Sequence, residues 1–179
     1  MSFYQKYRQE IIGKMKKKLG LKNTLALPRI EKIVINVGFG SILNKSKEKG
    51  TKRFEEALAK ISGQKPVVRL AKKSISNFKL RQGMPIGASV TLRGKKMFDF
   101  LERFILITIP RIRDFRGFPR RGDGKGNVSI GIKEHNVFPE IGELESFNIH
   151  GIGVTIVTTA KNNEEVFSLL EEFNFPFKK

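Results

Sequence analysis

Ten Lys or Arg side chains and no Asp or Glu lie between Ala57 and Phe98. The chemistry open to such a set is the binding of a polyanion. Six of them, Lys65, Arg69, Lys72, Lys73, Lys79 and Arg81, crowd together with no opposing charge. They repel one another unless water, salt or a polyanion screens them. Phe78, set among them, can stack on a nucleotide or plug the base of its loop, and the plug is the favoured reading. A second cluster joins Arg111, Arg113, Arg116, Arg120 and Arg121 to Phe115 and Phe118, and leads into a glycine-rich tip, Gly122 to Gly126, read as flexible. Lys14, Lys16, Lys17 and Lys18 form a third group. They suit the negative end of a helix dipole but exceed what it needs, and the surplus fits phosphate. Between Glu134 and Ala160 the sign reverses, with four Glu and no Lys or Arg. RNA would repel that stretch, whereas a basic protein would fit it.

Catalytic chemistry finds little to use. His135 and His150 are the two histidines, cysteine is absent, and no carboxylate pair is singled out by spacing. His150 reads as a packed residue leading into the last strand. The run Gly122-Asp123-Gly124-Lys125-Gly126 lacks the spacing and the following Ser or Thr of a phosphate loop. No catalytic residue, metal site or cofactor is expected.

The elements that must position these charges follow from periodicity. Phe3, Tyr7, Ile11, Met15 and Leu19 stand four apart, predicting an N-terminal helix with Ser2 as its cap and Gly20 at its end. Ile33, Ile35, Val37 and Phe39 alternate with Lys32, Val34 and Asn36, predicting a half-buried strand. A helix opening at Asn44 or Ser46 should bury Ala57, Leu58 and Ile61 and close at Gly63. Apolar runs at Val67 to Leu70 and Ile86 to Leu92 predict two strands carrying the basic loop. The second of these alternates Ile86, Ala88, Val90 and Leu92 with Gly87, Ser89, Thr91 and Arg93, and Val128 to Lys133 and Gly151 to Ile156 divide in the same way. Lys95 to Ile109 reads as a helix stopped by Pro110, its last turn left open by β-branching. A final helix follows Asn162, its expected cap, with Glu164 and Glu165 in its first turn.

The expected fold is therefore α+β: a single domain over 1–179, with a mostly antiparallel sheet, helices packed on one face and the other face open for RNA. A long basic loop occupies about 71–84, and a flexible arginine- and glycine-rich loop about 111–126. At 179 residues and 39% hydrophobic the chain can bury one core, and its net charge of +18 bears on partners rather than on fold. Without cysteine it suits a reducing compartment. The longest apolar run, Phe104 to Ile107, is far too short to span a bilayer, and a cytoplasmic, soluble protein without membrane association is expected. The same charge could serve an anionic membrane surface or duplex DNA, and a nuclease is the enzymatic alternative.

Several runs resemble one family. Pro28-Arg29-Ile30-Glu31-Lys32-Ile33, Ile61-Ser62-Gly63-Gln64-Lys65-Pro66, Phe78 to Gly83 with Pro85-Ile86-Gly87, Val90-Thr91-Leu92-Arg93-Gly94, Pro110 to Gly117, Phe138-Pro139-Glu140-Ile141 and Phe175-Pro176-Phe177 are similar, in order, to the bacterial-type members of the universal 5S-rRNA-binding ribosomal protein family, number five of the large subunit. The resemblance implies a structural role in the ribosome's central protuberance, with 5S rRNA, adjoining large-subunit rRNA and other central-protuberance proteins as partners. It assigns Asn36, Gln64 and Thr91 to 5S rRNA; Lys32, Arg93, Lys14 and Lys17 are expected as further rRNA-binding residues. It gives the basic loop, with Lys72, Lys73, Ser74, Asn77, Phe78, Lys79 and Arg81, to the P-site tRNA. It gives the Arg111, Arg113 and Arg116 loop, and the loop holding Glu140 and Glu143, to an intersubunit bridge with a basic protein of the small-subunit head. Phe118 to Arg121 and His150 depart from the family pattern, which bears on fine contacts there.

Overall fold

A computed structural model describes residues 3–21, 23–46, 51–141 and 151–178. Its elements in chain order are α1 (Phe3–Lys6), a π-helical turn (Tyr7–Ile11), α2 (Ile12–Leu19), β1 (Ile30–Gly38), α3 (Gly40–Ser46), α4 (Lys52–Ser62), β2 (Val67–Leu70), β3 (Pro85–Leu92), α5 (Gly94–Arg103), β4 (Val128–Ile132), β5 (Ile152–Thr158) and α6 (Asn163–Glu172). The strands form one sheet in the order β2-β3-β1-β5-β4, the α+β class the periodicities demand. β2 and β3 pair antiparallel, Val67 opposite Ser89 and Arg69 opposite Gly87, with a register shift between Arg69 and Leu70 just before the basic loop departs.

Two compact units divide the chain. In the first (Met1–Ile33, Leu92–Ile130, Thr155–Lys179), the N-terminal helix packs through aromatic rings. Phe3 lies 5.5 Å from Phe173, and Tyr7 lies 5.4 Å from Phe98, centroid to centroid. Residues four apart drift about 40° per step around an ordinary helix of 3.6 residues per turn. The wider turn at Tyr7–Ile11 takes back part of that drift, so Phe3, Ile11 and Met15 all stay buried. Ser2 lies outside the described residues. Gly20 ends the helix in the left-handed conformation at φ 63°, as expected.

In the second unit (Val34–Thr91, Gly131–Val154), Phe39 is fully buried and stacks on Phe54 of α4 at 4.7 Å. Its backbone N–H donates to the Ile86 carbonyl at 3.1 Å. Gly87 is required where β3 passes β1, because a Cβ there would lie 2.6 Å from the Val37 carbonyl oxygen. α4 buries Ala57, Leu58 and Ile61 as expected and ends at Gly63.

Three expectations are corrected. The helix thought to open at Asn44 or Ser46 is two helices: both residues belong to α3, and Thr51 stands at the start of α4. Pro110 does not stop the helix after α5. The chain runs on through a π turn (Phe104–Thr108) into a 3₁₀ turn (Ile109–Arg111) that holds Pro110 near its start, and the helical path ends at Ile112, which is extended. Asn162 occupies the cap position of α6 without a side-chain hydrogen bond. Instead the Glu165 carboxylate reaches back to accept from the Lys161 N–H at 2.9 Å.

Candidate nucleic-acid interface

Strand β1 separates its faces sharply. Ile33, Ile35 and Val37 are buried, Asn36 between the last two is exposed, and Lys32 is half-buried. Gly153 of β5 lies beside Asn36: a Cβ added there would come only to 4.0 Å from the Asn36 Cβ. Gly153 is thus a neighbour of Asn36 on the adjacent strand, a pairing hidden in the sequence within a run of alternating glycines. In the same unit Gln64 and Thr91 are brought together. The Gln64 Nε2 donates to the Thr91 carbonyl at 3.3 Å, which orients the amide and leaves the Thr91 hydroxyl to other partners. Ser89, also on the polar side of β3, is buried, and its hydroxyl accepts from Arg69 Nε at 2.8 Å. The basic edge strand and the polar face are therefore tied by a charge-assisted bond.

In the first unit, exposed Ser129 of β4 meets Thr155 of β5, hydroxyl to hydroxyl at 3.1 Å. This pair was not among the expected contacts, although both residues fell on the polar side of their alternating strands. Arg93 is exposed at the entry to α5.

The basic loop is a folded extension. Ala71 and Met84 close its base, the Ala71 N–H donating to the Met84 carbonyl at 2.8 Å, and Ile75 and Leu80 exchange two backbone bonds of 3.0 and 3.1 Å beneath the tip. Ser76–Phe78 forms a 3₁₀ turn, and Lys79 takes the left-handed conformation at φ 52° that reverses the chain. Ser74, expected as a contact residue, braces the loop: its hydroxyl accepts from the Gln82 N–H at 3.0 Å. Lys72, Lys73, Asn77, Lys79 and Arg81 are all exposed. Phe78 is 69% exposed, so the plug is corrected. The 3₁₀ turn carries the ring at the tip, not into the base.

The second arginine cluster is built on aromatic packing with the C-terminal run. Phe115 and Phe118 meet edge-on at 4.8 Å, and Phe118 stacks on Phe175 at 5.5 Å. The Phe118 N–H donates to the Pro176 carbonyl at 2.9 Å. Arg111, Arg113 and Arg116 are all exposed, but Arg120 is engaged: it pairs with Glu171 and lies over the Phe177 ring at 5.7 Å. Lys18 shares the same Glu171 at 3.1 Å, while Lys14 and Lys17 are exposed. The hydrogen bond from Lys18, with the charges of Lys18 and Arg120, holds the Glu171 carboxyl below its usual range.

The tip read as flexible is a hydrogen-bonded turn. Asp123 accepts from the N–H groups of Lys125 and Asn127 at 2.8 and 3.0 Å and from the Asn127 amide at 2.6 Å. These bonds, the Asn127 side chain's first, keep the Asp123 carboxyl below the ordinary carboxylate range. Gly126 packs against the Ala160 carbonyl too closely for any Cβ. Of the acidic stretch, Glu134 is exposed and Glu140 half-buried, while Glu143 and His150 lie outside the described residues. His135 is buried. Among the described residues no His, Cys, Asp or Glu cluster could hold a metal ion, and no helix is long and apolar enough to cross a membrane.

An apolar-backed sheet with an exposed amide on its open side, together with folded basic loops, defines a class: a structured-RNA-binding α+β protein. Comparison with known proteins narrows the class. Residues 23–81 match the family model of ribosomal protein L5, and residues 85–177 match the model of that ribosomal family's C-terminus. The large ribosomal subunit protein uL5 of Brachyspira hyodysenteriae is 51% identical over 97% of this chain and 92% of its own length. That of Colwellia psychrerythraea is 48% identical over 97% and 95%, and that of Halothermothrix orenii 47% over 98% and 97%. The chain belongs to the ribosomal protein L5 family, in its bacterial form. It is a structural constituent of the large ribosomal subunit, an RNA-binding component of the cytoplasmic ribosome and not an enzyme.

Proposed function

We infer that the open sheet face binds 5S rRNA, with Asn36, Gln64 and Thr91 supplying polar contacts, and that adjoining large-subunit rRNA meets Lys32, Arg93, Lys14 and Lys17. The observation that carries this reading is Asn36, exposed between the buried Ile35 and Val37 and flanked by Gly153. An amide held on a rigid strand loses little freedom on binding and can read an RNA edge or a 2′-hydroxyl. The basic charge supplies affinity by releasing counter-ions, and the polar groups fix register. The test is a titration of 5S rRNA with the full chain, carried against vesicles of anionic lipid and duplex DNA as competitors. Folded RNA should win, and displacement by either competitor would refute the assignment.

The folded basic loop, with Lys72, Lys73, Ser74, Asn77, Phe78, Lys79 and Arg81, is assigned to P-site tRNA, Ser74 acting as a brace. Its exposed cations and exposed ring suit a partner reached after the sheet has docked. Arg111, Arg113, Arg116, Glu140 and Glu143 are assigned to the bridge with a basic small-subunit head protein, within the central protuberance. Of these, the three arginines and the half-buried Glu140 stand on described surface. Cross-linking in assembled ribosomes tests both, and the absence of small-subunit adducts at these loops would remove the bridge.

A further inference from the structure

The first unit carries a cavity that none of the assigned contacts uses. It measures about 360 Å³, and its walls include Tyr4, Tyr7, Arg8, Met15, Leu25 and Arg29. No acidic residue lines it. The chemistry divides cleanly into flat or aliphatic walls and two guanidinium groups. Arg8 lies over the Tyr4 ring at 5.8 Å, so its charge is held against an aromatic face. Arg29 is pinned through its backbone: its N–H donates to the Thr159 hydroxyl at 3.1 Å, and its carbonyl accepts from the Thr159 N–H at 3.0 Å. Its charge also acts on the Tyr7 phenol, opposing the upward push of burial.

Leu25 is the feature that asks for an occupant. At 84% exposure it is the most exposed large apolar side chain among the described residues. It is not there by looseness. Asn23 caps the 3₁₀ turn Thr24–Ala26, its side chain accepting from the Leu25 N–H at 2.9 Å, and Leu27 on the far side of that turn is buried. A capped turn thus holds a leucine out into water at the rim of a cationic, aromatic-walled cavity.

We propose that this cavity takes a single unstacked nucleotide of ribosomal RNA, its base between Leu25 and the tyrosine wall and its phosphates on Arg8 and Arg29. The volume is of the order that one nucleotide fills. Bases pulled from their stack are held by aromatic and apolar side chains, and guanidinium groups suit phosphate oxygens. An apolar side chain from a neighbouring protein would use Leu25 and leave both arginines without anions. The charge therefore favours RNA. The inference rests on the rRNA-binding reading but involves none of the sheet-face residues.

The test uses the full chain with Leu25→Ser, Arg8→Gln and, as a separate arm, Asn36→Ala. Binding is measured to 5S rRNA and to protein-free large-subunit rRNA, each alone. Leu25 and Arg8 are surface residues, and unchanged thermal unfolding verifies the fold. Leu25→Ser and Arg8→Gln should each weaken binding about tenfold to at least one of the two RNAs. Wild-type affinity of both variants for both RNAs overturns the proposal. If only Asn36→Ala retains wild-type affinity, the sheet-face assignment fails while the cavity stands. Ultraviolet cross-linking of assembled large subunits supplies the second readout. A nucleotide adduct on the peptide carrying Tyr4 and Tyr7 supports the proposal, and a protein adduct there overturns it.

Discussion

Single side chains divide here into those that contact a partner and those that hold others in place. Asn36 is of the first kind: replacing it with Ala should cost roughly 1–3 kcal/mol of 5S rRNA affinity if its amide is buried on binding, with the unfolding midpoint of the free protein unmoved. Thr91→Ala should act in the same sense, and a titration showing wild-type affinity for both variants would remove the sheet-face assignment. Glu171 is of the second kind. Its carboxyl lies below its ordinary value of 4.5, so the stability it contributes is present above that value and is lost as pH falls through the lower folded-state value. Glu171→Gln should therefore flatten the acid limb of the stability curve below that ordinary value, by at most about 1 kcal/mol, since the pair is solvent-exposed. Acid unfolding followed by circular dichroism checks the sign.

Among the elements, the basic loop and the β1/β3 contact make separable predictions. Ser74→Ala removes the acceptor of the Gln82 N–H, so hydrogen exchange at Gln82 should speed up while 5S affinity stays constant. Exchanging Lys72 and Lys73 for Gln should likewise spare 5S rRNA and weaken the tRNA contact in assembled ribosomes. At the strand contact, a Cβ on Gly87 meets backbone, not a flexible side chain. Gly87→Ala should lower stability by about 1–3 kcal/mol, the usual cost of forced overpacking. Denaturant titration decides this, and a midpoint equal to that of wild type would show that the two strands can part without loss.

For the whole molecule, charge sets the behaviour. With a net charge of +18 and three basic clusters, affinity should come chiefly from displaced counter-ions. If about 6–10 phosphates are engaged, binding should fall by about 10³–10⁵ between roughly 50 and 200 mM salt. A flat salt profile would mean that polar contacts, not phosphates, dominate. Such a charge also disfavours the compact state of the free chain through self-repulsion. Thermal stability without RNA should accordingly rise with moderate salt, whereas the complex should weaken.

The apolar face of each strand, the buried face of α4 and the places where the cations cluster were written in the sequence, because each depends on neighbours a few positions away. Strand alternation at Ile33 to Val37 and the cap at Gly20 are local facts, and the fold bears them out. The passage of the helix through Pro110 and the exposed Phe78 were not legible, since the periodicity of a short segment does not show which helical turn the chain takes there. The same holds for function. Composition announced a polyanion partner, and family-like runs pointed to the ribosome. Only the folded chain decided which charges remain available: Glu171 reaches Lys18 across 153 positions and Arg120 across 51. Only the fold, too, oriented Gln64 on Thr91 and gathered Tyr4, Arg8, Leu25 and Arg29 around one cavity. Charge and pattern add up along a chain, but a pairing exists only where distant segments are packed side by side.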